Sequence, residues 1–390
     1  MKAILTMLIN MVLTENDLSY KQCSLTVMDN IADPDIRFDA KGICNYAKEF
    51  YQNFNENIPS DGQKKLEQLI DNIIKDGEGK PYDCLTGISG GVDSSYMIMK
   101  AKEWGLRPLI VHFDNGWNTE VAVRNINNII QKTGFELYTL VVDWEEFKDL
   151  QLSYIKSGVV DLEVPTDHAI YATWLKLAKK FNIKYILNGN NYLTESIMPP
   201  SWIFNKTDAV NLLAIHKKFG TKKLKTYPII KPSQQILYNY MIKASVIRPL
   251  NLIQYNKTVA KEELKKNFDW VDYGGKHYES FYTKFYQAYI LPQKFKIDKR
   301  KAHLSNLILS KEISREEALA QLKLPLYSSQ ELKTDKEYFI KKLGISNDFF
   351  EKYIHAPQVS HSYYGEQKLL IDAYPFLRPL RPIYRLYKKR

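Results

Sequence analysis

The chain has 390 residues, 45% hydrophobic and 25% charged, an ordinary balance for a globular protein that excludes a disordered or collagen-like chain. Its net charge of +11 is concentrated locally only at Lys217–Lys225, Lys294–Lys301 and Arg378–Arg390, and such a field suits an anionic small substrate as well as RNA. Three cysteines, Cys23, Cys44 and Cys84, are too few for a disulfide framework, and no run approaches the roughly 18 uncharged apolar residues of a membrane span.

The opening run Met1–Leu13 has one basic residue, an internal Asn10 and no small-x-small cleavage site. It therefore reads as part of an extension over 1–19 rather than a signal peptide, and the protein is expected in the cytoplasm. Residues 20–58 form a small polar unit. A linking helix over 60–80 is stopped by Gly77, Gly79 and Pro81, within an α/β domain expected over 59–255.

That domain starts with an apolar run through Cys84 and Leu85 that feeds Ile88-Ser89-Gly90-Gly91-Val92-Asp93-Ser94-Ser95 and then Tyr96-Met97-Ile98-Met99. This is a strand, a glycine-rich turn and a helix. Gly90 and Gly91 allow positive φ and close approach of a ligand, and the free N–H groups and dipole of the helix favour a phosphate. The spacing is neither Gly-x-x-x-x-Gly-Lys-Ser/Thr nor Gly-x-Gly-x-x-Gly. Further strands are expected at Pro108–Phe113, Phe135–Val142 and Lys184–Asn188, with helices over 119–133 and 168–181. This alternation predicts a doubly wound parallel sheet with its site at the carboxyl ends of the strands. The loops there are polar: Ser89–Ser94, Asp114–Asn118 and Gly189–Glu195. Val164–His168 starts a helix that Thr166 or Asp167 caps; His168 alternatively binds substrate or acts as a base.

Ser89-Gly-Gly-Val-Asp-Ser94 resembles the pyrophosphate loop of adenylating ATP pyrophosphatases. The resemblance implies an adenine nucleotide alpha-hydrolase-like fold and ATP cleaved between its α and β phosphates. It gives Ser89, Gly90, Gly91, Asp93, Ser94 and Gly189 phosphate or nucleotide contacts, puts adenine and ribose near Phe113, Asp114 and Asn115, and makes Asp93 the holder of the pyrophosphate's magnesium. Glu195 is the candidate carboxylate near the phosphates, and Lys231 and Arg248 are candidate cations directed at them. Together with Val111–Asn118, Pro165–Ala169 and Trp270–Ser280, the loop narrows the resemblance to the N-acetyl sugar amidotransferases, over about residues 20–355. Such enzymes adenylate an acetamido oxygen and let ammonia convert the group to acetamidino, in surface-polysaccharide or nonulosonic acid synthesis. No glutaminase nucleophile elbow is present, so the resemblance implies a separate glutaminase or free ammonia. The Ser89–Ser94 loop and the charge also suit a transfer-RNA-modifying relative, of thiolation or lysidine type; no nucleic-acid partner is expected, since Cys84 stands alone.

The family resemblance includes two Cys-x-x-Cys pairs of a zinc knuckle, whereas here they read Cys23-x-x-Thr26 and Cys44-x-x-Ala47. No structural zinc is expected, and the unit is held by Val27, Ile31, Ile36, Phe38 and Ile43. Downstream, a helical substrate or partner region is expected over 256–355. Within it, Tyr273–Ser280 reads either as a sugar-binding turn using Lys276, His277 and Glu279 or as a helix start with a solvated face, and Ser314 starts a capped helix. A basic, proline-punctuated tail over 356–390 ends the chain.

Overall fold

The computed structural model describes residues 20–235, 238, 244–275 and 278–367. Five parallel strands lie in the order β3-β2-β1-β4-β5, with β1 at Cys84–Gly87, β2 at Pro108–Asp114, β3 at Leu137–Val141, β4 at Tyr185–Leu187 and β5 at Ser245–Ile247. Thr86 pairs with Ile110 on one side and Leu187 on the other. The chain thus winds from β1 toward β3 in one direction and from β4 toward β5 in the other. A crevice opens at the carboxyl ends of β1 and β4, where a ligand of such a sheet binds. This is the doubly wound parallel α/β sheet that the alternation of strands and helices predicts.

The helices are α1 (Asn45–Gln52), α2 (Gly62–Gly77), α3 (Val92–Glu103), α4 (Glu120–Thr133), α5 (Trp144–Ser157), α6 (Val164–Phe181), the single turn α7 (Tyr192–Glu195), α8 (Ala209–Phe219) and α9 (Lys257–Phe268). There follow α10 (Phe281–Phe285), which runs into a π-helical stretch at Tyr286–Phe295, and α11 (Arg300–Leu309), α12 (Arg315–Lys323), α13 (Ser329–Leu343) and α14 (Asn347–His355). The core strand β1 is buried over Cys84–Thr86 and β2 over its first six residues, as continuous apolar runs covered on both faces should be. Met97, Ile98 and Ala101 of α3 pack with Cys84, Ile110 and Leu264 of α9 on one face; Ala172, Leu175 and Ala178 of α6 pack with Leu85 and Ile186 on the other. Among the described residues no helix is long and apolar enough to cross a membrane.

Three sequence expectations change. β5 is a fifth strand in what reads along the chain as a connection; two of its three residues are exposed, so it lacks the apolar signal of a buried strand. The helix α5 lies between β3 and α6, where no helix was expected. And α6 begins at Val164 behind Glu163, without a side-chain cap from Thr166 or Asp167; Pro165 fits its first turn, where a missing N–H costs no hydrogen bond. The Ser314 start holds: its side chain and Glu317 form a reciprocal capping box on α12.

In the amino-terminal unit, Val27 packs with Leu304 and Ala318, and Ile36 joins the large cluster with Phe38 and Ile43 against it, while Ile31 stays half-exposed. Cys23 and Cys44 come together wholly buried, and the Cys23 Sγ accepts N–H bonds from Thr26 (3.4 Å) and Cys44 (3.2 Å). A hydrogen bond from the Cys44 thiol pulls Cys23 down to about 5, and the same contact pushes Cys44 up. The Thr26 Oγ1 lies 3.8 Å from the Cys44 Sγ, so two thiols and one hydroxyl line a turn whose backbone already directs N–H groups at sulfur. Restoring both lost positions by Thr26→Cys with Ala47→Cys is expected to create a four-thiolate site that retains about one zinc per chain through gel filtration. Elemental analysis showing no more metal than the parent protein would rule out a knuckle-like backbone.

Candidate functional site

Between β1 and α3 the chain turns at Gly90, with φ of +81°. A Cβ there would lie 2.5 Å from the Ala122 carbonyl oxygen, so glycine is required for both its conformation and its size. The Gly90 carbonyl is gripped by Trp270 Nε1 (3.0 Å) and Asn125 Nδ2 (3.2 Å), which hold the turn from outside. No side chain of Gly91 caps α3, so hydroxyls take the donors, one from the loop and one from outside it: Gly91 N–H donates to Ser89 Oγ at 3.2 Å and Val92 N–H to the Tyr273 hydroxyl at 3.2 Å. Ser94 Oγ lies 3.2 Å from Ser89 Oγ and accepts from the Ser89 N–H at 3.3 Å. Hydroxyl acceptors at an uncapped helix start are positions that phosphate oxygens can take over, and the donor set fits a polyphosphate.

The loop after β4 reaches the same place. A Cβ on Gly189 would sit 2.6 Å from the Asp93 carbonyl oxygen and 3.0 Å from the Ser94 nitrogen, so the two loops touch backbone to backbone. Asn191 caps α7 by accepting from Thr194 N–H (3.0 Å) and donates its Nδ2 to Asp93 Oδ1 at 3.3 Å. The buried Tyr255 hydroxyl donates to that same carboxylate oxygen. Burial, then the Asp93 charge, raises the Tyr255 phenol so far that it remains a donor. Glu195 and Glu312 are close enough for their charges to act on Tyr255, and burial raises Glu312 itself. Asp93 is thus oriented by two side chains, with further carboxylates nearby. Among the described residues no group of three or more His, Cys, Asp or Glu is placed to hold a metal by itself, so a magnesium ion here would be one carried on phosphate oxygens beside Asp93.

After β2, His112 places Nδ1 at 3.0 Å from the Ile88 carbonyl and Nε2 at 3.1 Å from Asn118 Nδ2, a pairing that assigns the proton to Nδ1. It ties the second loop to the first. Asp114 accepts from Gly116 N–H (2.9 Å) and Asn118 Nδ2 (3.2 Å) and stays half-buried. Phe113 faces Phe147 in the core, and Asn115 is buried with its Oδ1 accepting from Trp117 N–H, so of the three expected nucleotide contacts Asp114 is the one left at the crevice.

The carboxy-terminal half supplies a wall. Thr119 N–H donates to the Glu279 carbonyl (3.0 Å), Asn118 pairs with Ser280, and Ser89 Oγ donates to Glu279 Oε1 at 3.4 Å. A Cβ on Gly91 would meet Glu279 Oε1, Ser89 Oγ and the Tyr273 hydroxyl, each at 3.1 Å. The structure therefore brings Ser89, Gly90, Gly91, Asp93, Ser94, Gly189, Glu195 and Glu279 together, with Tyr255, Tyr273, Asn191 and Asn125 as additions that sequence reasoning missed. Tyr273 lay in the Trp270–Ser280 run and Asn191 in the polar loop after β4, whereas Tyr255 and Asn125 had no local signal.

Other expected site residues lie elsewhere. His168 is wholly buried, with Nδ1 2.9 Å from the Lys206 carbonyl and Nε2 accepting from Ile230 N–H at 3.2 Å, and burial lowers its pKa. Both nitrogens are committed to backbone, so its role is structural rather than acid–base. His168→Ala is expected to destabilise the fold by about 2–4 kcal/mol, by a cavity plus two stranded backbone groups, and to leave turnover per folded molecule unchanged. Urea unfolding beside activity titrated against folded fraction checks this; a loss of turnover at unchanged stability would restore the catalytic role. Lys231 is exposed, its N–H bonded to Gln234 Oε1 (3.0 Å) as a helix start. Arg248 is exposed at the carboxyl end of β5, on the edge of the crevice rather than in it. Lys276 and His277 lie outside the described residues.

Residues 279–378 match the family described as LPS biosynthesis protein WbpG-like, C-terminal domain. No curated protein matches the chain. Among solved structures, a predicted subunit of tRNA methyltransferase from Methanocaldococcus jannaschii is 13% identical over 46% of this chain and 74% of that one, with a TM-score of 0.26. NMN synthetase from Francisella tularensis is 14% identical over 73% of this chain and 98% of that one (TM-score 0.30). NH3-dependent NAD synthetase from Campylobacter jejuni is 12% identical over 50% and 98% (TM-score 0.28). The matched residues 279–378 thus follow the parallel α/β sheet whose first strand-to-helix turn carries the Ser89–Ser94 loop.

Proposed function

We propose that the protein is an ATP-dependent amidotransferase that converts an acetamido group of an N-acetyl sugar or nucleotide sugar to an acetamidino group, in the cytoplasm, during surface-polysaccharide synthesis. The observation that carries this reading is Glu279, the first residue of the WbpG-like match, standing against Ser89 of the phosphate loop. A domain of the polysaccharide-synthesis kind thus borders the place where ATP chemistry is expected.

In this reading the acetamido oxygen attacks the α-phosphorus, pyrophosphate leaves, ammonia adds to the activated carbon, and AMP departs with that oxygen. The Gly91 and Val92 N–H groups and the Ser89 and Ser94 hydroxyls bind phosphate oxygens, and Asp114 lies toward the nucleoside. Magnesium bound to the pyrophosphate would neutralise the leaving group beside Asp93. Glu279, with its main chain fixed to Thr119, lies between the phosphate loop and the sugar. Ammonia comes from a separate glutaminase or from solution.

Incubation with ATP, magnesium, ammonium and a panel of N-acetylated nucleotide sugars tests this by mass spectrometry, with AMP quantified. A sugar product lighter by about one mass unit, formed with stoichiometric AMP, is expected. AMP release on transfer RNA alone would overturn the reading in favour of RNA modification.

A further inference from the structure

We propose that the face formed by α8, the 217–225 loop and residues 361–367 is a docking surface for an anionic lipid membrane. Lys217, Lys218, Lys222, Lys223 and Lys225 are all exposed there, with no acidic residue in the loop. The loop is held by its backbone. Asp149 of α5 accepts from Thr221 N–H (2.9 Å), Lys222 N–H (3.0 Å) and His216 Nε2 (3.1 Å), and Glu146 accepts from the N–H groups of Lys225 (2.9 Å), Thr226 (2.9 Å) and Tyr227 (3.1 Å). The carboxylates of Asp149 and Glu146 are thus buried beneath the loop and occupied by amides, and the one exposed acid among the described residues of this face is Glu366. Among the described residues no ion pair engages any of the five. Lys218 instead lies over the rings of Phe219, Tyr363 and Tyr364 at 4.9–5.5 Å, and Tyr363 is 69% exposed.

The chain's remaining excess charge follows this face in sequence. Asn211 of α8 donates to the carbonyls of His361 and Gly365 (both 2.7 Å), and Gln367 N–H donates to Asp208 (2.7 Å). Residues 368–390 then contribute seven basic residues and one acid. These 23 residues and the 217–225 loop hold the entire net charge of +11, and the rest of the chain is balanced. A uniform field would only aid solubility, whereas a basic patch continued by a basic segment is an electrostatic footprint.

Lipid is favoured over nucleic acid by what accompanies the charge. Between the tail's basic residues stand Phe376, Leu377, Leu380, Ile383, Leu386 and Tyr387. Aliphatic groups gain nothing from a phosphodiester backbone, but with lysine and tyrosine they match the headgroup and acyl boundary of a bilayer.

The test is co-sedimentation of the full chain with vesicles of phosphatidylglycerol and phosphatidylcholine, against pure phosphatidylcholine, at low and high salt. Binding to the anionic vesicles alone, released by salt, is expected. Lys217→Gln, Lys222→Gln, Lys223→Gln and Lys225→Gln combined should weaken it about a hundredfold with no change in thermal midpoint. Full binding by this variant, equal binding to neutral vesicles, or displacement from anionic vesicles by equimolar single-stranded RNA would each overturn the proposal.

Discussion

Asp93→Ala is expected to lower the turnover of ATP to AMP by about a thousandfold, with a loss in stability of about 1 kcal/mol or less, because the residue sits in the first turn of α3 where a carboxylate only modestly aids the helix. The size of the catalytic effect follows from position. Asp93 Oδ1 is fixed by Tyr255 and Asn191, so its carboxylate has one orientation beside the Gly91 and Val92 N–H groups, and on the proposed reaction little reorganisation is needed when charge develops on a leaving pyrophosphate. Tyr255→Phe separates orientation from charge. It keeps the carboxylate and the packing against Tyr96 at 5.6 Å, and removes one donor. About a tenfold fall in turnover is expected, with a raised magnesium requirement, a readout that a purely structural role for Tyr255 would not move. Steady-state AMP formation across a magnesium titration checks both variants. An Asp93→Ala protein with full turnover would remove the residue from the reaction, and Tyr255→Phe with an unaltered magnesium dependence would reduce the phenol to packing.

The legible part of this site is the part whose chemistry is contiguous. Ser89 to Ser94 are adjacent in sequence, so the strand, glycine-rich turn and helix around them, with the resemblance to a pyrophosphate loop, exposed them together. Glu279 was legible because glycines and hydrogen-bonding side chains crowd around it in one run. Tyr255 acts on Asp93 across 162 residues, and a tyrosine in isolation carries no mark of the distant group it will meet, whereas Asn191 stood in the polar loop after β4 with only its partner, 98 residues away, unannounced. His168 failed for the opposite reason: a polar, potentially catalytic side chain looks the same in sequence whether its nitrogens face substrate or, as here, the Lys206 carbonyl and the Ile230 amide. The sheet followed the same logic, since the buried runs of β1 and β2 announce themselves and the short, exposed edge strand β5 does not.

Asp161→Ala is expected to cost about 3–5 kcal/mol of stability, because it removes one partner of a buried ion pair. Asp161 is 2% exposed; its carboxylate accepts from Lys206 Nζ (2.6 Å), Phe204 N–H (2.8 Å) and Glu163 N–H (3.2 Å). Despite desolvation, the charges of Asp161 and Asp167, with a smaller contribution from Glu163, hold Lys206 above its ordinary pKa, so Asp167 at 3.1 Å and Glu163 would be left to balance it. Residues of the carboxy-terminal segment that matches the WbpG-like family dock around this centre: Thr283 Oγ1 donates to Glu163 (3.0 Å), Tyr286 to the Val160 carbonyl (2.7 Å), and His361 Nε2 accepts from Asp161 N–H (3.4 Å). Burial pushes Glu163 up to about 7 and His361 down to about 4. Their signs are opposite. The raised Glu163 contributes stability present below about 4.5 and lost as pH rises through about 7; the depressed His361 contributes stability present above about 6.5 and lost as pH falls through about 4. Glu163→Gln should therefore remove part of the decline between about pH 4.5 and 7 while leaving the acid limb intact. Urea midpoints measured across pH for both variants decide the matter. An Asp161→Ala midpoint within the range of surface substitutions would mean that the two halves are held by their shared aromatic core alone, and that the position of Glu279 against the phosphate loop does not depend on this buried pair.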